Sequence, residues 1–217
     1  MLLAEAASAG LDIVELFVTE ADPTRERMVA LAPRAVVHEC GAGVIARVAS
    51  TASPQPVLAV ATRPNLELSA APSLIVLCEE LNDPGNLGTI VRACEAAGAD
   101  AVALTDGSVD PWNPKVVRAA AGSLFRIPVL THTPVAHIPM RHLAALADSG
   151  ASLDDVDLRE PVCFVLGNEA RGLSPASAAE CDGAVRIPMV GPTESLNVAM
   201  AATVLLFEAA RQRRRAS

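Results

Sequence analysis

Five polar residues in three separated stretches are the ones best suited to chemistry in this sequence. Asn86 and Arg92 lie in NDPGNLGTIVR (82–92), Glu169 lies in FVLGNEARGLS (164–174), and Ser195 and Asn197 lie in IPMVGPTESLNVAMAATVLLFEAARQRRR (187–215). An amide offers both a donor and an acceptor, a carboxylate accepts or takes a proton, and a guanidinium carries a fixed charge. Together they can orient a polar substrate and assist the loss of a proton from it. Taken singly, each stretch has a plainer reading. The first is a turn whose Arg92, set between apolar residues, pairs with a carboxylate such as Glu95. The second is a strand-to-helix loop with Glu169 and Arg171 in solvent. The third is a helix start capped by Ser195 or Thr193. What joins them is position: each combines glycine with polar side chains at a strand end, where α/β sheets bind ligands. His132, His137 and His142 lack the spacing of a zinc site and read as surface or structural residues, so no metal is expected. No Gly-x-Gly-x-x-Gly signature is present, and GlyAlaGly at 41–43 does not supply one.

The elements that must position these residues follow from apolar patterning. Leu74 to Cys78, Ala101 to Leu104 and Val162 to Leu166 are continuous apolar runs, the mark of strands covered on both faces. Ala184 to Ile187 is a further strand, and Phe125 to Leu130 is extended. Helices are expected over Asn86 to Ala97, Asn113 to Ala121, Arg141 to Ser149, Ser174 to Cys181, and from Leu196 onward. The last of these is apolar or small on every face as far as Phe207, so it should be buried almost all round. Before these come a helix at Leu2 to Ala9, a strand at Ile13 to Val18, a helix at Thr24 to Leu31, a strand at Ala35 to His38, a helical turn at Val44 to Ala49 and a strand at Val57 to Ala61. Alternating strands and helices imply an α/β fold with a mostly parallel sheet covered by helices. The polar, proline-bounded stretch from Arg63 reads as a linker. It places a small α/β domain at 1–64, the linker at 65–72 and the main domain at 73–217.

Composition narrows the partners. At 217 residues and 51% hydrophobic content the chain can bury a sizeable core. Its net charge of −8 gives no global attraction to nucleic acid, which leaves local patches as the route to phosphate. Lys115 is the only lysine among 17 basic residues. Arginine suits bidentate phosphate contacts, and the same usage also reflects a GC-rich genome. Lys115, Arg118, Arg126, Arg171 and the arginines from 211 to 215 are the candidates for such contacts. With four Phe, one Trp and no Tyr, stacking of bases on aromatics is not expected to dominate binding. The five cysteines form no framework and read as reduced thiols. The start has no signal-peptide pattern and no apolar run is long enough to span a membrane, so a soluble cytoplasmic protein is expected.

In order and wording, the three stretches resemble the three motifs of the SpoU (TrmH-like) RNA ribose methyltransferases of the SPOUT superfamily. NDPGNLGTIVRACEAAGAD resembles the first motif, VLGNEARGLS the second, and IPMVGPTESLNVAMAATVLLFEAAR the third. PWNPKVVRAAAGSLFRIPV resembles the family's link between the first two. The resemblance spans roughly residues 72 to 215. VIARVASTASPQPVLAV (44–60) resembles, less closely, the small substrate-binding domain that precedes the catalytic one. The resemblance implies a C-terminal trefoil knot in the parallel sheet and a homodimer packed through it. It implies transfer of a methyl group from S-adenosyl-L-methionine to an RNA ribose 2′-hydroxyl, with no metal. It assigns cofactor binding to Leu166, Gly167, Ile187, Met189 and Leu196. Arg92 is placed beside the hydroxyl, Asn86 and Glu169 are to orient Arg92 or the ribose, and Ser195 and Asn197 are to hold the target nucleotide. Ribosomal RNA is favoured over transfer RNA. A knotted RNA-binding or assembly protein without catalysis is the alternative.

Overall fold

The computed structural model describes residues 2–20, 22–49 and 53–216, so Met1 and residues 50–52 of the stretch at 44–60 lie outside it. The chain forms two compact units, Met1–Asn65 and Leu66–Ser217. The first holds α1 (Leu2–Ser8), β1 (Ile13–Thr19), α2 (Arg25–Ala30), β2 (Val36–Cys40), α3 (Val44–Val48) and β3 (Val57–Ala61). Its mixed sheet runs β2-β1-β3, with β1 parallel to β2 and antiparallel to β3. Ile13, Leu16 and Val18 of β1 close a core with Leu3, Met28 and Ala32.

The second unit is built on seven parallel strands in the order β6-β5-β4-β9-β7-β10-β8. They are β4 (Leu74–Cys78), β5 (Ala101–Leu104), β6 (Val129–Leu130), β7 (Arg141–Ala145), β8 (Ala151–Ser152), β9 (Val162–Leu166) and β10 (Gly183–Arg186). The helices are α4 (Pro84–Ala97), α5 (Pro114–Ala119), α6 (Pro175–Ala179) and α7 (Val198–Ala216). Every residue of β4, β5 and β9 is buried, as continuous apolar runs require in a sheet with two covered faces. On one face, α4 turns Leu87, Ile90, Val91 and Cys94 inward, the i, i+3, i+4, i+7 stripe of an amphipathic helix. Ala199, Ala202, Leu205, Leu206 and Ala209 of α7 join the same core. Asp83 caps α4 by accepting from the Asn86 N–H, with Pro84 in the first turn, and Gly98 ends the helix at φ +77°. A Cβ on Gly88 would lie 2.4 Å from the Ala119 Cβ, so this glycine serves the close approach of α4 and α5.

Four local expectations are corrected. Arg141–Ala145 is a strand, because its place between β9 and β10 buries His142, Leu143 and Ala144 in the sheet and overrides a helix-favouring composition. Ser123–Phe125 is a 3-10 turn, leaving only Val129–Leu130 extended in that stretch. The last helix begins at Val198, and Asn197, not Ser195 or Thr193, caps it: its Oδ1 accepts from the N–H groups of Ala199 at 2.9 Å and Met200 at 3.3 Å. Nor is that helix buried all round, since Met200, Val204 and Phe207 are 63%, 40% and 43% exposed. No helix of the described residues is long and apolar enough to cross a membrane, and no group of three metal-ligating side chains occurs among them.

Candidate active site

The site forms where strands of the parallel sheet end. A cavity of about 430 Å3 opens between the loops after β7, β9 and β10 and the segment that leads into α7. Its lining mixes apolar residues with the polar Asn168, Glu169, Arg171, Ser195 and Asn197 and includes no aromatic residue. Leu166, Gly167, Ile187, Met189 and Leu196 all line it, together with Glu169, Ser195 and Asn197. Gly167 is dictated by packing: a Cβ there would fall 2.0 Å from the backbone of Gly172 and Leu173. The loop from 168 to 172 closes on itself through reciprocal Asn168–Gly172 backbone bonds of 3.0 and 2.9 Å, and Gly172 takes a φ of +69° that glycine tolerates. All five cysteines are free, and burial pushes the Cys78 thiol up to about 12, with a smaller contribution from the Glu169 charge.

Three sequence stretches meet at the mouth of this cavity. The Glu169 carboxylate accepts from the Asp83 N–H at 2.9 Å, the Asn82 N–H at 3.3 Å and the Asn86 Nδ2 at 3.2 Å. The Asn86 Oδ1 accepts in turn from the Asn197 Nδ2 at 3.0 Å. Asn197 therefore caps α7 with its oxygen and reaches Asn86 with its nitrogen. Partial burial by itself would raise the Glu169 carboxyl, but the bonds from Asp83, its own N–H, Asn86 and Asn82 outweigh it and hold the group below its ordinary range. Glu169 is thus an ionised acceptor at neutral pH, exposed yet bonded to the first of the three stretches. Ser195 also lines the cavity.

Arg92 stands apart from this network. It is exposed on the outer face of α4, where helical periodicity puts it between buried neighbours yet outside the core, so its charge needs no buried partner. Among the described residues it makes no hydrogen bond or ion pair. Glu95, the partner expected for it, pairs with Arg126 at 3.4 Å. Asn86 and Glu169 orient each other and Asn197, not Arg92. Several of the other candidate cations are engaged. Lys115 lies 3.6 Å from Asp83, Arg171 pairs with Glu80, and Arg211 pairs with Glu208. Arg213 donates to the carbonyls of Leu158, Ser73 and Glu160, which fastens α7 to the body of the unit.

Sequence reasoning passed over Glu79, Glu80 and Asn168, whose bonds fix the cavity loop. Their signal was two acidic residues straight after a buried strand, and an Asn inside a glycine turn.

A model of the SpoU rRNA Methylase family matches residues 73–207. The chain belongs to this family. SpoU relatives include a 23S rRNA (guanosine(2553)-2′-O)-methyltransferase, RlmP, of Bacillus subtilis, 35% identical over 74% of this chain and 66% of the relative. The 23S rRNA (guanosine-2′-O-)-methyltransferase RlmB of Xanthomonas axonopodis is 40% identical over 68% of this chain and 62% of the relative. The chain spans between 48% and 67% of the length of such curated relatives. The SpoU methyltransferase AviRb of Streptomyces viridochromogenes, in a crystal structure with its cofactor AdoMet, superposes with a TM-score of 0.85 at 28% identity, over 98% of this chain and 87% of AviRb. An AdoMet-bound rRNA methyltransferase from Sinorhizobium meliloti gives 0.84 at 30% identity, over 97% and 84% of the two chains. The likeness therefore extends through both compact units of this SpoU member.

Proposed function

We propose that this protein transfers a methyl group from S-adenosyl-L-methionine to a ribose 2′-hydroxyl of ribosomal RNA. The observation that carries the reading is the Glu169–Asn86–Asn197 chain, with Glu169 and Asn197 on the wall of a largely apolar cavity. A slot of about 430 Å3 that includes Leu166, Gly167, Ile187, Met189 and Leu196 suits an adenosyl group held by backbone polar atoms and apolar contact. When bound, that cofactor supplies an electrophilic methyl group. The chain's own residues then act on the nucleophile. A ribose hydroxyl attacks well only as its proton leaves. The Arg92 guanidinium lowers the cost of the developing alkoxide, and the proton passes to a nearby phosphate or to water. Asn86 and Asn197, locked in one orientation by Glu169, present their remaining amide donors and acceptors to the ribose. Ser195 adds a hydroxyl contact to the nucleotide.

Three further parts belong to this reading. The exposed Met200, Val204 and Phe207 recur at i, i+4 and i+7 on α7, which supports a homodimer packed through that helix. The convergence of the loops after β9 and β10 with the entry to α7 supports the trefoil knot typical of the family. The small unit at 1–64 serves RNA recruitment, and the protein works in the cytoplasm. Transfer RNA remains the second substrate to test, because a structure described as 2-OH methylation of C/U34 on tRNA superposes with a TM-score of 0.61 over 66% of this chain.

The experiment is transfer of labelled methyl from S-adenosyl-L-methionine to unmodified rRNA and tRNA, followed by alkaline hydrolysis. A 2′-O-methyl group removes the nucleophile of alkaline cleavage, so label in an alkali-resistant dinucleotide is the expected result. Label only in mononucleotides would refute ribose chemistry, and label only in tRNA would move the substrate class.

A further inference from the structure

The cavity loop poses a physical problem. Polar groups of a loop bind a ligand tightly only if their directions are fixed beforehand. Yet Gly167 and Gly172 make the loop intrinsically permissive. What fixes it lies outside the cavity, in the two residues after β4. The Glu79 N–H donates to the Leu166 carbonyl at 2.8 Å, which carries the β4–β9 ladder one residue beyond the strands. Glu80 then takes a left-handed φ of +46°, rare for a residue with a side chain. At this turn the Glu80 carbonyl accepts from the Asn168 Nδ2 at 2.7 Å and its carboxylate pairs with Arg171. The Glu79 carboxylate takes the far end of the loop. It accepts from the Ser174 N–H at 2.7 Å, the Ser174 hydroxyl at 2.7 Å and the Ser177 hydroxyl at 2.5 Å. Asn168 completes the frame from within, accepting from the N–H groups of Ala170 at 2.9 Å and Arg171 at 3.2 Å. The loop is held at both ends and in the middle, and neither glutamate lines the cavity itself.

We infer that Glu79 is a positioning residue for the cofactor: it holds the 166–174 loop in its binding shape before any ligand arrives. This rests on the cavity being the S-adenosyl-L-methionine site. Three bonds to one carboxylate, two of them from a serine that also caps α6, are more than a short helix needs for its start. Glu79 makes no contact with the catalytic set, so its loss acts through the loop alone.

The test compares wild-type protein with Glu79→Gln, Ser174→Ala and the double variant. Calorimetry measures S-adenosyl-L-methionine affinity, amide hydrogen exchange follows residues 168–173 in the ligand-free protein, and melting temperature reports the fold. Glu79→Gln should weaken binding about tenfold, because charge-assisted bonds are replaced by mismatched ones. It should also speed exchange in the loop, and the double variant should lose little more than Glu79→Gln alone, since both changes break the same bond. A merely structural glutamate would lower the melting temperature and leave affinity unchanged, and that result overturns the inference, as does unaltered loop exchange. Should Glu79→Gln not fold, Ser177→Ala removes one of the three bonds, and about threefold weaker binding is expected. If wild-type protein binds no S-adenosyl-L-methionine, the functional reading falls, and loop exchange alone decides whether Glu79 holds the loop.

Discussion

At the scale of single residues, the site separates side chains held in place from one that is free to meet its target. Glu169, Asn86 and Asn197 are fixed by mutual bonds, whereas Arg92 stands in solvent on α4. Arg92→Ala is therefore expected to leave folding and cofactor affinity intact and to abolish methyl transfer; single-turnover kinetics with unchanged rates would remove Arg92 from the mechanism. Gly167→Ala makes the opposite prediction. Its Cβ would strike the Gly172–Leu173 backbone at 2.0 Å, so the loop must shift. A cost of about 1–3 kcal/mol in stability is expected, typical of overpacking, with a loss of cofactor binding that calorimetry would detect. The residue types of the site were legible because amides, a carboxylate and a hydroxyl clustered at strand ends in the sequence. Their bonding was not. Glu169, expected to orient Arg92 or the ribose, bonds Asn82, Asp83 and Asn86, because a sequence does not say which side of a helix faces a loop 83 to 87 residues away in the chain.

At the scale of elements, α7 shows how one residue can serve two purposes. The Asn197 oxygen caps the helix and its nitrogen reaches Asn86. Asn197→Ala should lose about 1 kcal/mol of capping, or about 2–4 °C in melting temperature, and lose far more in turnover. Asn197→Asp keeps the capping oxygen and deletes the donor to Asn86. It should melt like wild type and still fail in transfer, and a variant that fails in neither would show the Asn86 link to be idle. The outer stripe of the same helix carries the proposed dimer. Met200→Glu places a charge in that stripe and is expected to halve the mass seen in sedimentation; an unchanged mass would exclude the stripe as the contact. Elements with buried apolar runs, β4, β5 and β9, could be read residue by residue. β7 could not, because Arg-His-Leu-Ala-Ala favours a helix in isolation and only its neighbours in the sheet make it a strand. The stretch before α7 was misread for a related reason: Ser195 and Asn197 are both good caps, and the choice depends on where the chain leaves the cavity wall.

At the scale of the whole molecule, the acidic side chains that shape the site also set how the protein responds to acid. Burial works against ionisation of Glu79, and bonds from Ser174 and Ser177 with the nearby Arg171 charge overcome it, so its carboxyl lies below the ordinary range, as does that of Glu169. A carboxyl lowered in the folded state contributes stability above its unfolded value, about 4.3 for glutamate. That contribution is lost as pH falls through the lowered folded values. The melting temperature should therefore be flat from neutrality to about pH 5 and decline below it, with cofactor affinity declining too; a protein that becomes more stable in acid would contradict the assignment.

The strand order has a temporal consequence. The sheet's central neighbours are β4 and β9, which pair Leu74 with Val162. During synthesis, β4 leaves the ribosome with both faces apolar and gains β5 on one edge early, but its other edge waits for β9 while α4, β5, α5, β6, β7 and β8 are made. The same strand whose far end grips the cavity loop thus keeps one edge open to wrong pairing for that interval.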